Sequence, residues 1–391
     1  MKITFLIYNV FGMGGTVRTV TNTANFLVDR GYDVEIISVR KTSKKPLFYI
    51  NEKVKIKYLI DARRPSKNTP PLPLYKKIIK KILTKIPSIL IDKSEDLYHM
   101  FNLFSDIKIL FAIKSVKNGI LVTTIPSFNI LSVKYGNENV IKIGQEHKQF
   151  SIYSKNLQNK IKKYYSKLDA ITCLSDNETN EYKHLFGNGS VKIVKIENAT
   201  IIPEYFSNHT NKVIISAGRF VHEKGFDLLI EAFSKVVQKH PEWKLKIFGQ
   251  GVERSNLLKL IHKYDLANNV LILPKTDNLL KEMAKASIYV LSSRNESFGM
   301  VIVEAMSVGL PCVCFACSGP KEIIEDKKDG ILVPVGDTNA LANEINRLIE
   351  NKELRMSLGM AARKSVQRYS FEMISQKWDN LIRELKNKSN N

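Results

Sequence analysis

Two glutamates eight positions apart, in the stretch NESFGMVIVEAM, are well suited to bind a ligand rich in hydroxyl groups. Glu296 precedes a Ser-Phe-Gly turn, and Glu304 follows inside an apolar run that is predicted to be a helix. A helix rises about 1.5 Å per residue, so eight residues would span on the order of 12 Å, the length scale of a sugar nucleotide. Two unrelated surface acids are the alternative, but an unpaired carboxylate among apolar residues, as at Glu304, is costly.

A second candidate site is the stretch AGRFVHEKG, which carries two cations after a predicted strand. Arg219 stands at the carboxyl end of that strand, and Lys224 follows it shortly before the next helix. Such a pair can clamp a diphosphate and stabilise the charge that grows on it if it leaves. The alternative is two exposed cations in a basic protein.

Helix starts supply further candidate ligand contacts. In GMGGTVR, Gly12, Gly14 and Gly15 follow a strand and open a helix, so backbone amides could approach a phosphate or a sugar hydroxyl, and Arg18 could reach an anion. The spacing G-x-G-G differs from the dinucleotide fingerprint, which argues against an NAD-dependent oxidoreductase. The free amides at the second helix start belong to Phe298, Gly299 and Met300.

Strands and helices alternate through the chain in two successive halves. This pattern predicts an α/β fold of two facing, Rossmann-like, doubly wound domains with the active site in the interdomain cleft. The predicted boundaries are an N-terminal domain at 1–198, a linker at 199–212, a C-terminal domain at 213–370 and a last helix within 371–391.

The net charge of +22 is unevenly distributed, because residues 40–93 hold 16 Lys/Arg against 3 Asp/Glu. Such a surface attracts nucleic acid, anionic lipid or a phosphorylated acceptor. Nucleic acid is disfavoured, since no reader motif is recognisable. Within this region, segment 75–91 is predicted to be a basic amphipathic segment that docks on an anionic membrane, with a solvated helix as the alternative. Its lysines on one face are Lys76, Lys77, Lys80 and Lys81.

The remaining composition favours an enzyme of the cell interior. No run of about 18 apolar residues is present, and no cleavage site follows the first strand, so a cytoplasmic location is expected. Cys312, Cys314 and Cys317 in CVCFAC lack zinc-like spacing and are predicted to lie in a buried strand rather than at a metal.

Taken together, these motifs resemble family four of the GT-B glycosyltransferases. The resemblance comprises the two glutamates with seven residues between them, GR…EKG before them, GG…R near the N-terminus and CSGPKEII at 317–324. It runs over nearly the whole chain, is strongest over 213–340 and is weak over 40–135.

The resemblance implies a role for each matching residue. Arg219 and Lys224 would bind the donor diphosphate, Glu304 the ribose hydroxyls, and Glu296 the donor sugar near C3. The amides of Phe298, Gly299 and Met300 would hold sugar hydroxyls and a phosphate, with Gly14 and Gly15 against the diphosphate and sugar. His147, in the Glu-His pair that ends a strand, would contact the C6 hydroxyl. The last helix would cross back onto the first domain.

The implied reaction is retaining transfer of a hexose or N-acetylhexosamine from a UDP-sugar to a surface-polymer acceptor. The acceptor would be a lipid-linked glycan or a teichoic-acid-like polymer, reached at the inner face of the cell membrane. No D-x-D triplet is present, so no metal and no cofactor other than the nucleotide sugar is expected. Ser297 replaces the glycine that many relatives have, which affects the expectation for the donor sugar. A nucleotide-sugar binding protein without turnover is the alternative.

Overall fold

The computed structural model describes residues 1–63, 73–187 and 189–389. Its chain divides into two compact units, Met1–Ala199 with Ser375–Asn391, and Thr200–Ile374. These are called unit 1 and unit 2 below. The proline-rich stretch 63–75, which the sequence predicts to be a loop, lies mostly outside the described residues.

Unit 1 is a parallel sheet flanked by helices. Its strands are β1 (Lys2–Ile7), β2 (Asp33–Lys41), β3 (Lys55–Asp61), β4 (Ile120–Thr123), β5 (Ile141–Gln145), β6 (Ala170–Cys173) and β7 (Lys192–Lys195). Its helices are α1 (Gly15–Asp29), α2 (Leu74–Lys85), α3 (Leu103–Ser115), α4 (Pro126–Tyr135), α5 (Lys155–Tyr164) and α6 (Asp176–Phe186). The strand order β3-β2-β1-β4-β5-β6-β7 reverses between β1 and β4.

Unit 2 repeats this architecture. Its strands are β8 (Val213–Arg219), β9 (Lys244–Gln250), β10 (Val270–Leu273), β11 (Ile288–Leu291), β12 (Cys312–Phe315) and β13 (Ile331–Val333). Its helices are α7 (Phe226–Lys239), α8 (Arg254–Lys263), α9 (Leu279–Ala284), α10 (Met300–Ser307), α11 (Ser318–Ile323), α12 (Thr338–Glu350) and α13 (Lys352–Ser365). The order β10-β9-β8-β11-β12-β13 reverses between β8 and β11.

The doubly wound α/β class predicted from the sequence is therefore confirmed. The central strands are almost wholly buried because helices cover both faces of a parallel sheet. The predicted buried cysteine strand is β12, in which Cys312 and Cys314 lie in the core. Cys317 lies outside this strand and is only partly buried, because it caps the start of α11. In such sheets ligands bind beyond the carboxyl ends of the strands, where the strand order reverses.

The last helix, α14 (Phe371–Ser389), packs on unit 1 from Ser375 onward. Trp378 is buried edge-on against Phe5 of β1, with ring centroids 6.5 Å apart. Asp379 accepts from Arg30 at 3.0 Å and from the Tyr32 hydroxyl at 2.7 Å, which anchors the helix to the end of α1.

The segment predicted as a linker, 199–212, lies against unit 2 from Thr200 onward. The Ser207 amide donates to Val308 O at 2.9 Å, and its hydroxyl donates to Ala286 O at 2.5 Å. Arg355 of α13 donates to His209 O at 3.1 Å. No helix among the described residues is long and apolar enough to span a membrane.

Candidate functional site

The cations and glutamates predicted in unit 2 follow two neighbouring strands. Arg219 is the exposed last residue of β8, and Glu296 lies in the loop after β11, which pairs with β8 in parallel. Parallel neighbours end at the same edge of a sheet, and this is the edge where the strand order reverses. The topology therefore places both loops where a doubly wound sheet binds its ligand.

Lys224 and Glu296 form an ion pair between these two loops. The ammonium of Lys224 donates to Glu296 Oε2, and the two side chains are 19% and 15% exposed. The fold thus joins two motifs that lie 72 positions apart in the chain. It creates a partly buried site with one cation and one carboxylate, and Arg219 ends the strand that precedes the Lys224 loop.

A second ion pair, not anticipated from the sequence, holds these loops together. Arg294 binds the carboxylate of Asp227 with both Nη atoms, at 2.8 and 2.6 Å, and also donates to His222 O at 2.8 Å. Its backbone amide donates to Glu223 O at 2.8 Å. Bidentate Arg–carboxylate pairs fix geometry as well as charge, so this contact sets the position of Lys224. The feature of the sequence that could have indicated this contact is Arg294 itself, two positions before Glu296.

Gly225 allows the two loops to approach each other. It has φ 61°, in the left-handed region, and a Cβ at this position would lie 2.0 Å from Ser292 O. The Ser292 hydroxyl in turn donates to Lys224 O at 3.2 Å. Glycine is therefore required here by both backbone conformation and space.

The start of α10 is also built around a glycine. Gly299 has φ 99° at the N-cap position, and Phe298 is buried edge-on against Tyr369. The Gly319 amide and the Ser318 hydroxyl donate to Glu296 O at 2.8 and 3.0 Å, which explains part of the CSGP motif. The first amides of α10, including that of Met300, are left without intrahelical partners, as at any helix start.

Glu304 lies inside α10 as predicted and is 1% exposed. The argument from helical rise over all eight residues does not hold, because α10 begins at Met300, four residues after Glu296. The helical rise per residue therefore applies only from Met300 to Glu304, a length of roughly 6 Å along the helix axis. Between Glu296 and Met300 the chain turns through the left-handed Gly299.

The glycine turn of unit 1 follows β1, next to the reversal of strand order. Gly14 and Gly15 are exposed, and a Cβ added at either would meet no atom within 4 Å. The turn is shaped by Asn9, whose Oδ1 accepts from the Phe11 amide at 3.1 Å. Arg18 stacks over the Phe48 ring at 5.4 Å, and burial lowers the pKa of its guanidinium.

His147 follows β5, two strands from the glycine turn at the same edge of the sheet. The side chain is half-buried, and its Nε2 is buried without a hydrogen bond to the described residues. Burial lowers the pKa of His147 to about 4. The imidazole is therefore neutral at neutral pH, and one of its ring nitrogens carries no proton.

Replacement of His147 by glutamine is expected to make the protein less sensitive to mild acid. The folded pKa lies below the usual value of 6.5, so the unfolded chain takes up this proton first as pH falls from 6.5 towards 4. Wild type should lose about 2 kcal/mol by pH 5 relative to the variant. Denaturant midpoints at pH 7.5, 6.5 and 5 measure this difference. The exposed His184 on α6 gives a matched control, His184→Gln; an equal response from both variants would contradict the assignment.

The basic segment forms the helix α2, which is shorter than the predicted range 75–91 and ends before Pro87. None of its residues is buried. Its apolar side chains are 50–73% exposed at Leu74, Tyr75, Ile78, Ile79 and Ile82. Beside them lie Lys76, Lys77, Lys80 and Lys81. The helix therefore presents both an apolar and a cationic surface to solvent.

Two family sequence models match this chain. The model described as "Glycosyltransferase Family 4" matches residues 13–200, and the one described as "Glycosyl transferases group 1" matches residues 197–365. The matches divide the chain close to the boundary between unit 1 and unit 2.

Curated relatives include a protein of Streptomyces coelicolor named exopolysaccharide phosphotransferase, 32% identical over 98% of this chain. The chain spans 41% of that protein's length. An uncharacterised glycosyltransferase of Haemophilus influenzae is 28% identical over 97% of this chain and 99% of its own. Among solved structures, a S. aureus TarM mutant in complex with fondaparinux, α-GlcNAc-glycerol and UDP has a TM-score of 0.75 at 19% identity. That likeness covers 98% of this chain and 100% of TarM, and it establishes the shared fold.

Proposed function

Because this chain belongs to the GT-B glycosyltransferases of family 4, we propose that it moves a hexose or N-acetylhexosamine from a UDP-sugar to a polymer acceptor. The reaction would occur with retention of anomeric configuration and without a metal ion. The acceptor is a hydroxyl of a lipid-linked glycan or of a teichoic-acid-like surface polymer.

The Lys224–Glu296 pair is the observation that carries this proposal. A lysine and a glutamate from separate loops meet at the edge where a doubly wound sheet binds ligands. Before the donor binds, each neutralises the other in a partly buried site. When the donor enters, the diphosphate offers Lys224 a stronger partner, and Glu296 is released to accept from the sugar hydroxyls.

The remaining site residues of unit 2 surround the same donor. Arg219, exposed at the end of β8, shares the diphosphate with Lys224. Glu304 accepts from the ribose hydroxyls, and the first amides of α10 bind the sugar and a phosphate. Arg219 and Lys224 stabilise the negative charge that develops on the leaving diphosphate. The diphosphate takes the proton of the acceptor hydroxyl on the same face of the sugar. No protein nucleophile is required by this route.

The residues of unit 1 act on the sugar and the diphosphate. Gly14 and Gly15 leave open space in which backbone amides approach the donor, and Arg18 supplies a nearby cation. His147 binds the C6 hydroxyl as a neutral imidazole, because its pKa of about 4 leaves it unprotonated at neutral pH. It therefore orients the sugar and does not serve as the acid.

The names of similar proteins support a polymer acceptor. One is named exopolysaccharide phosphotransferase, and the TarM mutant was solved in complex with fondaparinux, α-GlcNAc-glycerol and UDP. The lysine-rich unit 1 of this chain suits an acceptor that is anionic or lies at an anionic membrane. Helix α2 would then bind the inner face of the cell membrane, its isoleucines entering the interface and its lysines meeting lipid headgroups.

Replacement of Lys76, Lys77, Lys80 and Lys81 by glutamine is expected to weaken binding to anionic vesicles strongly. Each lysine near such a surface contributes about 1 kcal/mol, so four together amount to roughly 100- to 1,000-fold in the partition coefficient. Sedimentation with vesicles that contain phosphatidylglycerol measures the effect. The matched control exchanges four exposed lysines of unit 2, Lys259, Lys263, Lys352 and Lys364. Equal binding by the two variants would refute a role for α2.

Nucleotide release from a panel of UDP-, GDP- and ADP-sugars tests the proposed reaction, with and without a bacterial lipid extract. Release of UDP from one sugar, increased by the extract, is the expected result. If UDP raises the melting temperature but no donor is turned over in the presence of acceptor, the chain is a binding protein. If no nucleotide changes the melting temperature, the assignment of the Lys224–Glu296 site is wrong.

A further inference from the structure

The side chain that precedes His147 is a fully buried carboxylate. Glu146 is 0% exposed, and three neutral donors bind it. Its Oε1 accepts from Asn129 of α4 at 2.9 Å and from the Tyr165 hydroxyl, and its Oε2 accepts from the Tyr153 hydroxyl at 2.8 Å. Asn129 also donates to the Tyr165 hydroxyl at 2.8 Å, so the donors bind one another as well.

The charged groups around this carboxylate are negative. Glu178 of α6 and Glu95 both repel its charged form. The Tyr182 ring is stacked on Tyr165, one of the donors to Glu146. Burial is the largest influence and raises the pKa of Glu146 to about 7, while the bonds from Tyr165 and Tyr153 act in the opposite direction. A buried carboxylate is costly unless it is compensated, so its retention calls for a reason other than stability.

Its position in the chain suggests that reason. The Glu146 amide donates to Thr172 O at 2.9 Å, so the ladder between β5 and β6 extends to this residue. Successive side chains of a strand point to opposite faces of the sheet. Because Glu146 points into the core, His147 is expected to point to the opposite face. The Tyr153 hydroxyl then ties the far end of the 146–153 loop back to Glu146.

The same loop is also braced from a second segment of unit 1. Lys148 donates to Asp96 at 2.5 Å, and Ser154 donates to Ser94 at 2.9 Å. The residues of both contacts are exposed or half-buried, whereas Glu146 is fully buried. The Phe150 amide of the loop also donates to Glu181 at 2.8 Å. Among the carboxylates that hold the loop which carries His147, Glu146 is the fully buried one.

We propose that Glu146 is a positioning residue for His147, holding the imidazole in place through its bonds to Tyr153, Tyr165 and Asn129. The proposal rests on the function proposed above for His147. It adds a residue that touches neither donor nor acceptor and acts through the geometry of the loop. Misplacement of a sugar-orienting group lowers the rate of transfer more than the binding of the donor.

Glu146→Gln is the first test variant, because glutamine keeps the shape and can donate to a tyrosine hydroxyl that rotates to accept. Transfer should lose on the order of 10-fold in kcat, with little change in KM for the donor. Asp106→Asn is the matched control, since Asp106 is 1% exposed in unit 1 and accepts from the Ser88 hydroxyl at 2.7 Å and from the Ile89 amide at 2.8 Å. The control should retain kcat even if its melting temperature falls.

The pH profile separates positioning from a merely structural role. The plot of kcat against pH for wild type should have a limb near neutral pH, where Glu146 ionises. The plot for Glu146→Gln should lack this limb. Tyr153→Phe removes a bond that lowers the pKa of Glu146, so this limb should move to higher pH. A profile that is the same in wild type and in both variants would overturn the proposal.

A measurement that does not depend on activity completes the test. In the full chain labelled with ¹⁵N-histidine, the ring resonances of His147 are identified by their loss in His147→Gln. Glu146→Gln should shift them, and Asp106→Asn should leave them in place. Unchanged His147 resonances in Glu146→Gln would refute positioning even if no donor were turned over. Shifted resonances in a chain that turns over no donor would instead sustain the positioning and refute the proposed reaction.

Discussion

Lys224→Met is expected to lower kcat/KM for glycosyl transfer by about 1,000-fold, because one cation that stabilises a developing charge in a partly buried site contributes about 10²–10³ in rate. The variant removes the ammonium that would meet the diphosphate and also leaves Glu296 without its partner. Nucleotide release at saturating acceptor, together with isothermal titration of UDP, measures the two consequences separately.

Lys246→Met provides the control for the loss of a paired lysine. Lys246 lies in β9 of the same unit, its Nζ is 4.0 Å from Glu282, and it is half-buried. This variant should keep its activity. Should Lys224→Met fold, bind UDP as wild type does and still transfer sugar at a comparable rate, Lys224 has no role in the chemistry.

The double variant Lys224→Met/Glu296→Gln shows whether the pair acts as one unit. If the ion pair opens and the two side chains bind separate parts of the donor, the losses caused by the single changes should at least multiply, because each contact is lost on its own. If the intact pair were the functional arrangement, each single change would already disrupt it, and the double variant would lose no more than the worse single variant. That result would contradict the exchange of partners proposed for donor binding.

Gly225→Ala is expected to destabilise unit 2 by about 3 kcal/mol, which lowers its melting temperature by roughly 10 °C. The added Cβ would lie 2.0 Å from Ser292 O in a residue with φ 61°. Either the turn that carries Lys224 or the loop that carries Glu296 must move. Transfer should therefore fall with stability, and calorimetry together with the release assay measures both.

Gly336→Ala separates steric overlap from backbone strain. Gly336 has φ 85° in the same unit, but a Cβ there would meet no atom within 4 Å. This variant therefore carries the conformational penalty alone, about 1 kcal/mol, and should keep full activity. If both alanine variants behaved alike, the close approach of Gly225 to Ser292 would not control the site.

The sequence alone determined the class of fold and the segments that carry the chemistry. Alternation of apolar strands with helices of period 3.6 is a local property, and it predicted the doubly wound sheets and the strand ends at Arg219 and His147. Motif resemblance then indicated the glycosyltransferase family, which the comparisons confirm. The domain boundaries and the role of each site residue stay predictions.

Tertiary structure decided how these segments meet. Lys224 and Glu296 are 72 positions apart, and Arg294 and Asp227 are 67 apart. Their pairing depends on β8 and β11 lying side by side, and strand order is not encoded in the periodicity of either segment. The Glu146 network combines residues of a strand end, a helix and two loops in the same way. The argument from helical rise between Glu296 and Glu304 failed because a left-handed glycine, Gly299, precedes the start of the helix at Met300. Chain-local patterns thus fix the elements, whereas contacts between distant side chains exist only once the sheets have formed.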